Sequence, residues 1–223
     1  MAGENKDRPT KRVRGAQRTT REDWIKTALD TLISDGVESV KVSVLAAKLD
    51  CARSSFYWYF NDRRKLFDAL LDYWQHRNTE SIVSRAAKSA ESTNMALVNV
   101  FSCWVVDPET GDEPFDSKLD FAIRDWARRD GAVRRAVDIS DDVRIGALKA
   151  MFERFDYPTG EALIRARIVY YTQIGHEAMD RREDSLTRAR TGPDYLYCMT
   201  GQPPSQAERD AVFMQAGHMP SDL

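Results

Sequence analysis

The stretch from Val40 to Leu66, VKVSVLAAKLDCARSSFYWYFNDRRKL, constrains the fold more than any other part of the chain. It reads as two short helices joined by a tight turn, followed at once by the start of a third. Val44, Leu45 and Leu49 give the first helix an apolar stripe, and Ala46 and Ala47 keep it thin enough for another helix to cross closely. Asp50 stands where the chain must turn, a residue that tolerates the left-handed conformation less readily than Gly but better than most. The second helix, Ala52 to Phe60, places Phe56 and Phe60 one turn apart on a buried face. At about 100° per residue, Ser54, Ser55 and Trp58 point the other way, flanked by Tyr57 and Tyr59, with Arg53 at the helix start. Arginine, two hydroxyls, an indole and two phenols make poor core and poor solvent surface. They suit a major groove, where Arg reads guanine and aromatic groups meet thymine methyls or backbone. A helical hairpin that binds nothing can carry the same spacing.

The residue string itself narrows the choice. It resembles the helix-turn-helix of the TetR family of bacterial transcriptional regulators, from near Arg21 through Gly36 and Val42 to Ala46. The likeness is densest in Phe56-Tyr57-Trp58-Tyr59-Phe60 and ends with Asp62-Arg63-Arg64-Lys65-Leu66. It covers about the first third of the chain. The resemblance implies DNA contacts from Val42, Ser43, Arg53, Ser54, Ser55, Tyr57, Trp58, Tyr59 and Arg63. Three positions depart from the family string: Asp50 for the turn Gly, Cys51 for the following Val, and Ala52 for the Ser or Thr that often caps the recognition helix. Arg63 resembles the family's phosphate-contacting basic residue; the alternative is a solvated charge, although a cation there opposes the helix dipole.

The rest of the chain reads as helix, with no alternating strand pattern and no internal repeat. A first helix spans Thr20 to Asp35, with Trp24 in the core and Gly36 as its stop. A long helix starts at Arg63 behind Asn61-Asp62, with Leu66, Phe67, Leu70, Leu71 and Trp74 on one face and a weaker period through Ile82, Val83 and Ala86. Thr93 caps a helix over Met95 to Trp104, and the run from Asp107 to Pro114 is a loop. Further helices cover Leu119 to Trp126, Ala132 to Phe155 and Ala162 to Met179. Gly192-Pro193 and Pro203-Pro204 punctuate the end, leaving Asp194 to Met199 at most a short turn, before a final helix capped by Ser205. The expected fold is all-α: a three-helix DNA-binding domain (19–66), joined by the long helix to a helical ligand-binding and dimerisation domain (67–223).

The net charge is small, but the positive charge is segregated. The net charge is -2 over 223 residues, yet the opening segment carries Lys6, Arg8, Lys11, Arg12, Arg14, Arg18 and Arg21 against Glu4 and Asp7. Residues 1–18 read as a disordered basic arm, either a solubilising tail or a segment that tracks phosphates or a minor groove. Cys51, Cys103 and Cys198 are odd in number and far apart, which points to reduced thiols in a cytoplasm. No apolar run reaches the ~20 residues of a membrane span, and no signal peptide is expected. His76, His176 and His218 lack metal-ligand spacing, and Asp138, Asp141 and Asp142 read as a solvated helix face. No P-loop, dinucleotide fingerprint or GxSxG supports an enzyme, and no cofactor is expected.

Trp74, Phe101, Trp104, Phe121, Trp126, Phe152 and Tyr170 come from several helices. A bundle core accounts for such a set. The family resemblance implies more, namely a pocket in which these residues, with Arg124 and His176, hold a largely apolar effector. The function expected is a homodimeric repressor released from a palindromic operator by that effector. The alternative is a DNA-binding or protein-interaction module without an inducer.

Overall fold

The computed structural model describes residues 19–105, 115–179 and 183–219, and among these the chain is helical with no strand. The basic arm and the Asp107–Pro114 loop lie outside the described residues. α1 (Arg21–Asp35) begins with a reciprocal cap, in which Thr20 Oγ1 accepts from Asp23 N–H and the Asp23 carboxylate accepts from Thr20 N–H. The Thr20 N–H, followed by the Thr20 hydroxyl that donates to the same carboxylate at 2.8 Å, holds the Asp23 carboxyl below the usual carboxylate range. Gly36 ends α1 at a φ of 78°, where a side chain would be strained. α2 (Val42–Lys48) follows, then a six-residue 3-10 turn (Arg53–Trp58), then α3 (Arg63–Trp74).

The long helix from Arg63 is not uniform. α3 passes into a π turn at Gln75–Thr79 and then into α4 (Glu80–Ala86). Positions 66, 70, 74, 78, 82 and 86 are all buried along it. A pure α-helix would rotate a four-residue row by about 40° per step, and the wider π turn slows that drift. This explains why the α period fades after Trp74.

The body continues with α5 (Thr93–Phe101), α6 (Ser117–Ala127), α7 (Gly131–Glu153), α8 (Thr159–Ala178), α9 (Ser185–Thr200) and α10 (Gln206–Gln215). Two sequence expectations are corrected here. Ser92, not Thr93, caps α5, accepting from Met95 N–H at 3.1 Å. The chain also does not break at Gly192-Pro193, since α9 runs through both. Pro193 is buried, and an added Cβ at Gly192 would lie 2.5 Å from Val212 Cγ1 on α10. That glycine permits a close helix crossing instead of stopping a helix. α10 packs on the body, with Phe213 buried and Gln215 Nε2 donating to Val98 O at 3.0 Å.

Two apolar clusters result. The first joins Trp24, Leu45, Phe56, Phe60, Leu66, Leu70 and Trp74 to Leu119, Ile123 and Trp126 of α6 and to Val133 and Val137 of α7. The head is therefore closed by helices from the second part of the chain, and Phe67 meets Trp126 with ring centroids 4.7 Å apart. The second cluster holds Ile82, Leu97, Val100, Leu148, Phe152, Val169, Tyr170 and Leu196.

Between them lies a buried charged network. Asp120 Oδ1 accepts from Trp74 Nε1 at 2.8 Å and from Arg144 Nη1 at 3.0 Å, and Oδ2 accepts from Arg124 Nε at 2.7 Å. Arg124 also grips Asp141 with two nitrogens, at 2.9 and 2.6 Å. Tyr170 O–H donates to Asp141 at 2.7 Å and accepts from Arg124 and Arg144. Asp141, read from sequence as solvated, is turned inward by these arginines, whereas Asp138 pairs with Arg134 at the surface. Burial alone pushes the Asp120 carboxyl up, but Arg144 and Arg124 outweigh it and hold it below the usual range.

Asp120→Asn leaves Arg144, itself fully buried, with an uncompensated charge. It should cost about 3–5 kcal/mol, seen as a lower urea midpoint with an unchanged slope. Because the folded carboxyl titrates below the unfolded one, its contribution is complete above the unfolded value near ~4 and is lost as pH falls through the folded value. The variant should therefore show a flatter acid limb than wild type. Equal midpoints at neutral pH would show that Asp120 contributes no net stability.

Candidate nucleic-acid interface

The candidate interface is built on the turn between α2 and the 3-10 segment. Asp50 takes the left-handed conformation, φ 48°, and Cys51 N–H closes back on Ala46 O at 3.0 Å. Lys48 Nζ ties α2 to α1 through Thr31 Oγ1 at 2.9 Å and Asp35 at 3.0 Å. This amine, followed by Ser34, holds the Asp35 carboxyl below its ordinary value.

The second element differs from the α-helix expected over Ala52 to Phe60. Ser55 N–H bonds Ala52 O and Tyr59 N–H bonds Phe56 O, both three residues back. Ala52 has no side-chain oxygen to cap the segment, and Ser55 Oγ donates to Ala52 O at 2.7 Å. A hydroxyl that occupies a local carbonyl favours a tight turn over an α-turn. Phe56 and Phe60 are nonetheless both buried, stacked at 5.2 Å, with Trp24 edge-on to Phe56 at the same separation.

That aromatic seat fixes what faces outward. Tyr57 is 59% exposed and Trp58 68% exposed, beside exposed Arg53 and Ser54. Val42, Ser43 and Ser55 are half-buried. Exposed Lys41 and Arg64 stand before α2 and within the first turn of α3; sequence reasoning passed over both, although their charge beside the motif was legible.

Two residues expected to meet DNA are engaged inside the head. Tyr59 O–H donates to Thr19 O at 2.6 Å, anchoring the chain where it enters α1. Arg63 donates through Nε to Val40 O at 2.7 Å and through Nη2 to Val37 O at 3.0 Å, with its guanidinium over the Phe67 ring. Both bonds satisfy carbonyls of the bend before α2, which explains a cation at a helix start that the dipole disfavours.

The nine side chains expected around an effector are spread over the two cores and their edges, and none of them lines either of two clefts found among the described residues. Trp74 and Trp126 belong to the first cluster, Phe152 and Tyr170 to the second, and Phe101 and Trp104 pack at its edge. Arg124 is held by Asp120 and Asp141, Phe121 is half-buried, and His176 lies within 4 Å of Glu177 and Glu183. A cleft of about 680 Å³ is lined instead by polar groups such as Asn94, Arg154, Glu161, Arg165 and Glu208. A smaller one, about 320 Å³, lies between the π turn and α7 at Gln75, Thr79, Ile139 and Val143. Most of these aromatic side chains pack in or against the two cores.

Residues 25–70 match the family model of bacterial regulatory proteins, tetR family. Two solved structures share the whole architecture. A transcriptional regulator from Rhodococcus sp. Rha1 is 17% identical with a TM-score of 0.52, over 92% of this chain and 97% of that one. A protein described as a putative TetR-family transcriptional regulator from Rhodococcus sp. is 16% identical with a TM-score of 0.53, over 88% and 96%. At such identity these two likenesses speak for the fold alone. No curated protein matches the sequence significantly. With residues 25–70 matched by the family model and most of the length matched in fold, the head of this chain is that of the tetR family of bacterial regulatory proteins, a helix-turn-helix set on an all-α body.

Proposed function

We propose that the protein is a homodimeric repressor that binds a palindromic operator and is released from it by a small, largely apolar ligand. The observation that carries the DNA-binding part is the pairing of exposed Arg53, Ser54, Tyr57 and Trp58 with the buried, stacked Phe56–Phe60 seat beneath them. Groups held this firmly lose little freedom on docking. The basic residues among positions 1–18, which precede the Thr19 anchor in sequence, add phosphate contacts.

Pairing of two copies rests on α8. Its Ala162, Ala166, Val169 and Tyr170 are buried in the body, while Ile164, Ile168 and Tyr171 are 52%, 44% and 58% exposed. Spaced at i, i+4 and i+7, they form one apolar stripe, and Gly175 beyond it has open space around its Cα. Such a stripe suits a two-fold helix contact, and a dimer supplies the half-sites that one small head lacks. The alternative, a DNA-binding or protein-interaction module without an inducer, is favoured by one observation: four of the expected ligand residues are buried in the two cores, and neither described cleft is lined by any of the nine.

Selection from a random duplex pool should return a palindrome. Arg53→Ala should lower affinity for it by about 1–3 kcal/mol and relax one position per half-site. Tyr59→Phe, which frees the root of the arm, should weaken all duplexes alike. Removing residues before Arg18 should flatten the slope of log affinity against log salt, by about 0.9 for every phosphate the arm neutralises. Equal affinity of wild type for selected and scrambled duplexes would overturn the assignment.

Ile168→Asp should convert the dimer to a monomer in light scattering at micromolar concentration. A wild type already monomeric, with and without DNA, would remove α8 as the interface.

A further inference from the structure

We infer that the body binds an uncharged, largely apolar molecule through an oxygen acceptor, which takes hydrogen bonds from Arg144 Nη2 and Trp104 Nε1 at the Phe115 ring. This rests on the ligand-released reading above and gives the ligand a chemical class. Arg144 is fully buried, and two of its nitrogens are occupied. Nε donates to Thr79 Oγ1 at 3.1 Å, and Nη1 donates to Asp120 and to Tyr170 Oη, each at 3.0 Å. Among the described residues Nη2 has no partner, and neither does the buried Nε1 of Trp104. Both groups lie against one side chain: the guanidinium carbon is 5.4 Å from the Phe115 ring centroid, and the Trp104 ring centroid is 5.3 Å from it. Phe115 N–H donates to Cys103 O at 3.0 Å, which keeps ring and indole together. Buried donors are nearly always satisfied, so two orphans beside one ring call for an acceptor. The other orphaned atoms, Trp24 Nε1 in the head and His176 Nε2 on α8, share no such neighbour with each other.

The charge of the network selects the acceptor. Asp120 and Asp141 balance Arg124 and Arg144, so the cluster is already neutral. A carboxylate would leave a net negative charge out of water, and an ammonium would bring donors where donors are in excess. A ketone, lactone or similar carbonyl supplies lone pairs without charge. Phe115, Trp104 and Trp74, over which Arg144 also lies, call for an apolar remainder that takes the place of the Phe115 ring. The same guanidinium holds Thr79 in the π turn and Asp120 on α6, so a bond made at Nη2 is felt on the helix that leads to the head.

Three matched probes test this by calorimetric titration of the full chain: methyl naphthyl ketone, naphthoate and ethylnaphthalene. The ketone should bind at least about ten times tighter than either of the others, as two new hydrogen bonds would give. Trp104→Phe, which keeps an aromatic ring and loses the N–H, should weaken the ketone about three- to tenfold and leave ethylnaphthalene unchanged. A ketone that does not bind, or binds no tighter than ethylnaphthalene or naphthoate, overturns the site, as does a Trp104→Phe variant with wild-type ketone affinity. Titration of the ketone into a protein–operator complex separates the two claims. The expected probe pattern with unchanged operator affinity keeps the site and removes the ligand-released reading. Release by some other compound, with the ketone inert, does the reverse.

Discussion

One carboxylate, that of Asp120, decides how the two parts of this molecule meet. It sits on α6, whose apolar face closes the head against α1, and it reaches the connecting helix at Trp74 and α7 at Arg144. A lone charge so far from water would be prohibitive, and two arginines offset it only when α6, α7 and the connecting helix stand in one register. A buried ion pair adds little stability over an apolar replacement, so its consequence lies in excluding other arrangements. α6 cannot slide along the connecting helix without stranding Arg144. Asn78 adds a second restraint, since its side chain donates to Asp116 O at 2.9 Å and accepts from Asp116 N–H at 3.0 Å, clamping the start of α6.

The π turn follows from the same constraint. Trp74, Asn78 and Thr79 must all face α6 and α7, and four-residue steps in an α-helix would carry them round the axis. The extra width of Gln75–Thr79 keeps Asn78 buried after Trp74 and before Ile82. Polar contact with a distant helix has overridden local helical preference here.

What was legible in the sequence was local. Gly36 at a positive φ, Asp50 in the turn and Phe56 with Phe60 each act within a few residues, so spacing alone exposed them. What escaped was set by partners far along the chain. Asp120 is 46 residues from Trp74 and 24 from Arg144, and no periodicity links them. Pro193 read as a break because the contact of Gly192 with α10 was out of view. Arg63 read as a choice between phosphate and solvent because its acceptors, Val37 and Val40 carbonyls, belong to a bend whose geometry the residue types do not reveal. The recognition segment lay between these cases: its buried face was readable, while its tight 3-10 winding came from a missing cap and a serine bonded to the backbone.

The distribution of aromatic side chains bears on function as well as on folding. Most indoles and many phenyl rings are packed in the two cores, so a count of aromatic residues says more about packing than about a pocket. The large apolar groups left at the surface among the described residues are not scattered evenly. Tyr57 and Trp58 stand together on the head, Ile164, Ile168 and Tyr171 form a stripe on α8, and Tyr195 and Tyr197 lie on α9. Keeping such groups in water opposes folding, and a contiguous set persists where a partner covers it. Two such surfaces at different places on one chain agree with the proposed reading, which needs two kinds of partner. On the head the neighbours are Arg53, Lys41 and Arg64, which favour a polyanion; on α8 the exposed stripe is apolar and favours a second copy of itself. The buried network spans the material between them, from Trp74 beneath the head to Tyr170 on the inner face of α8.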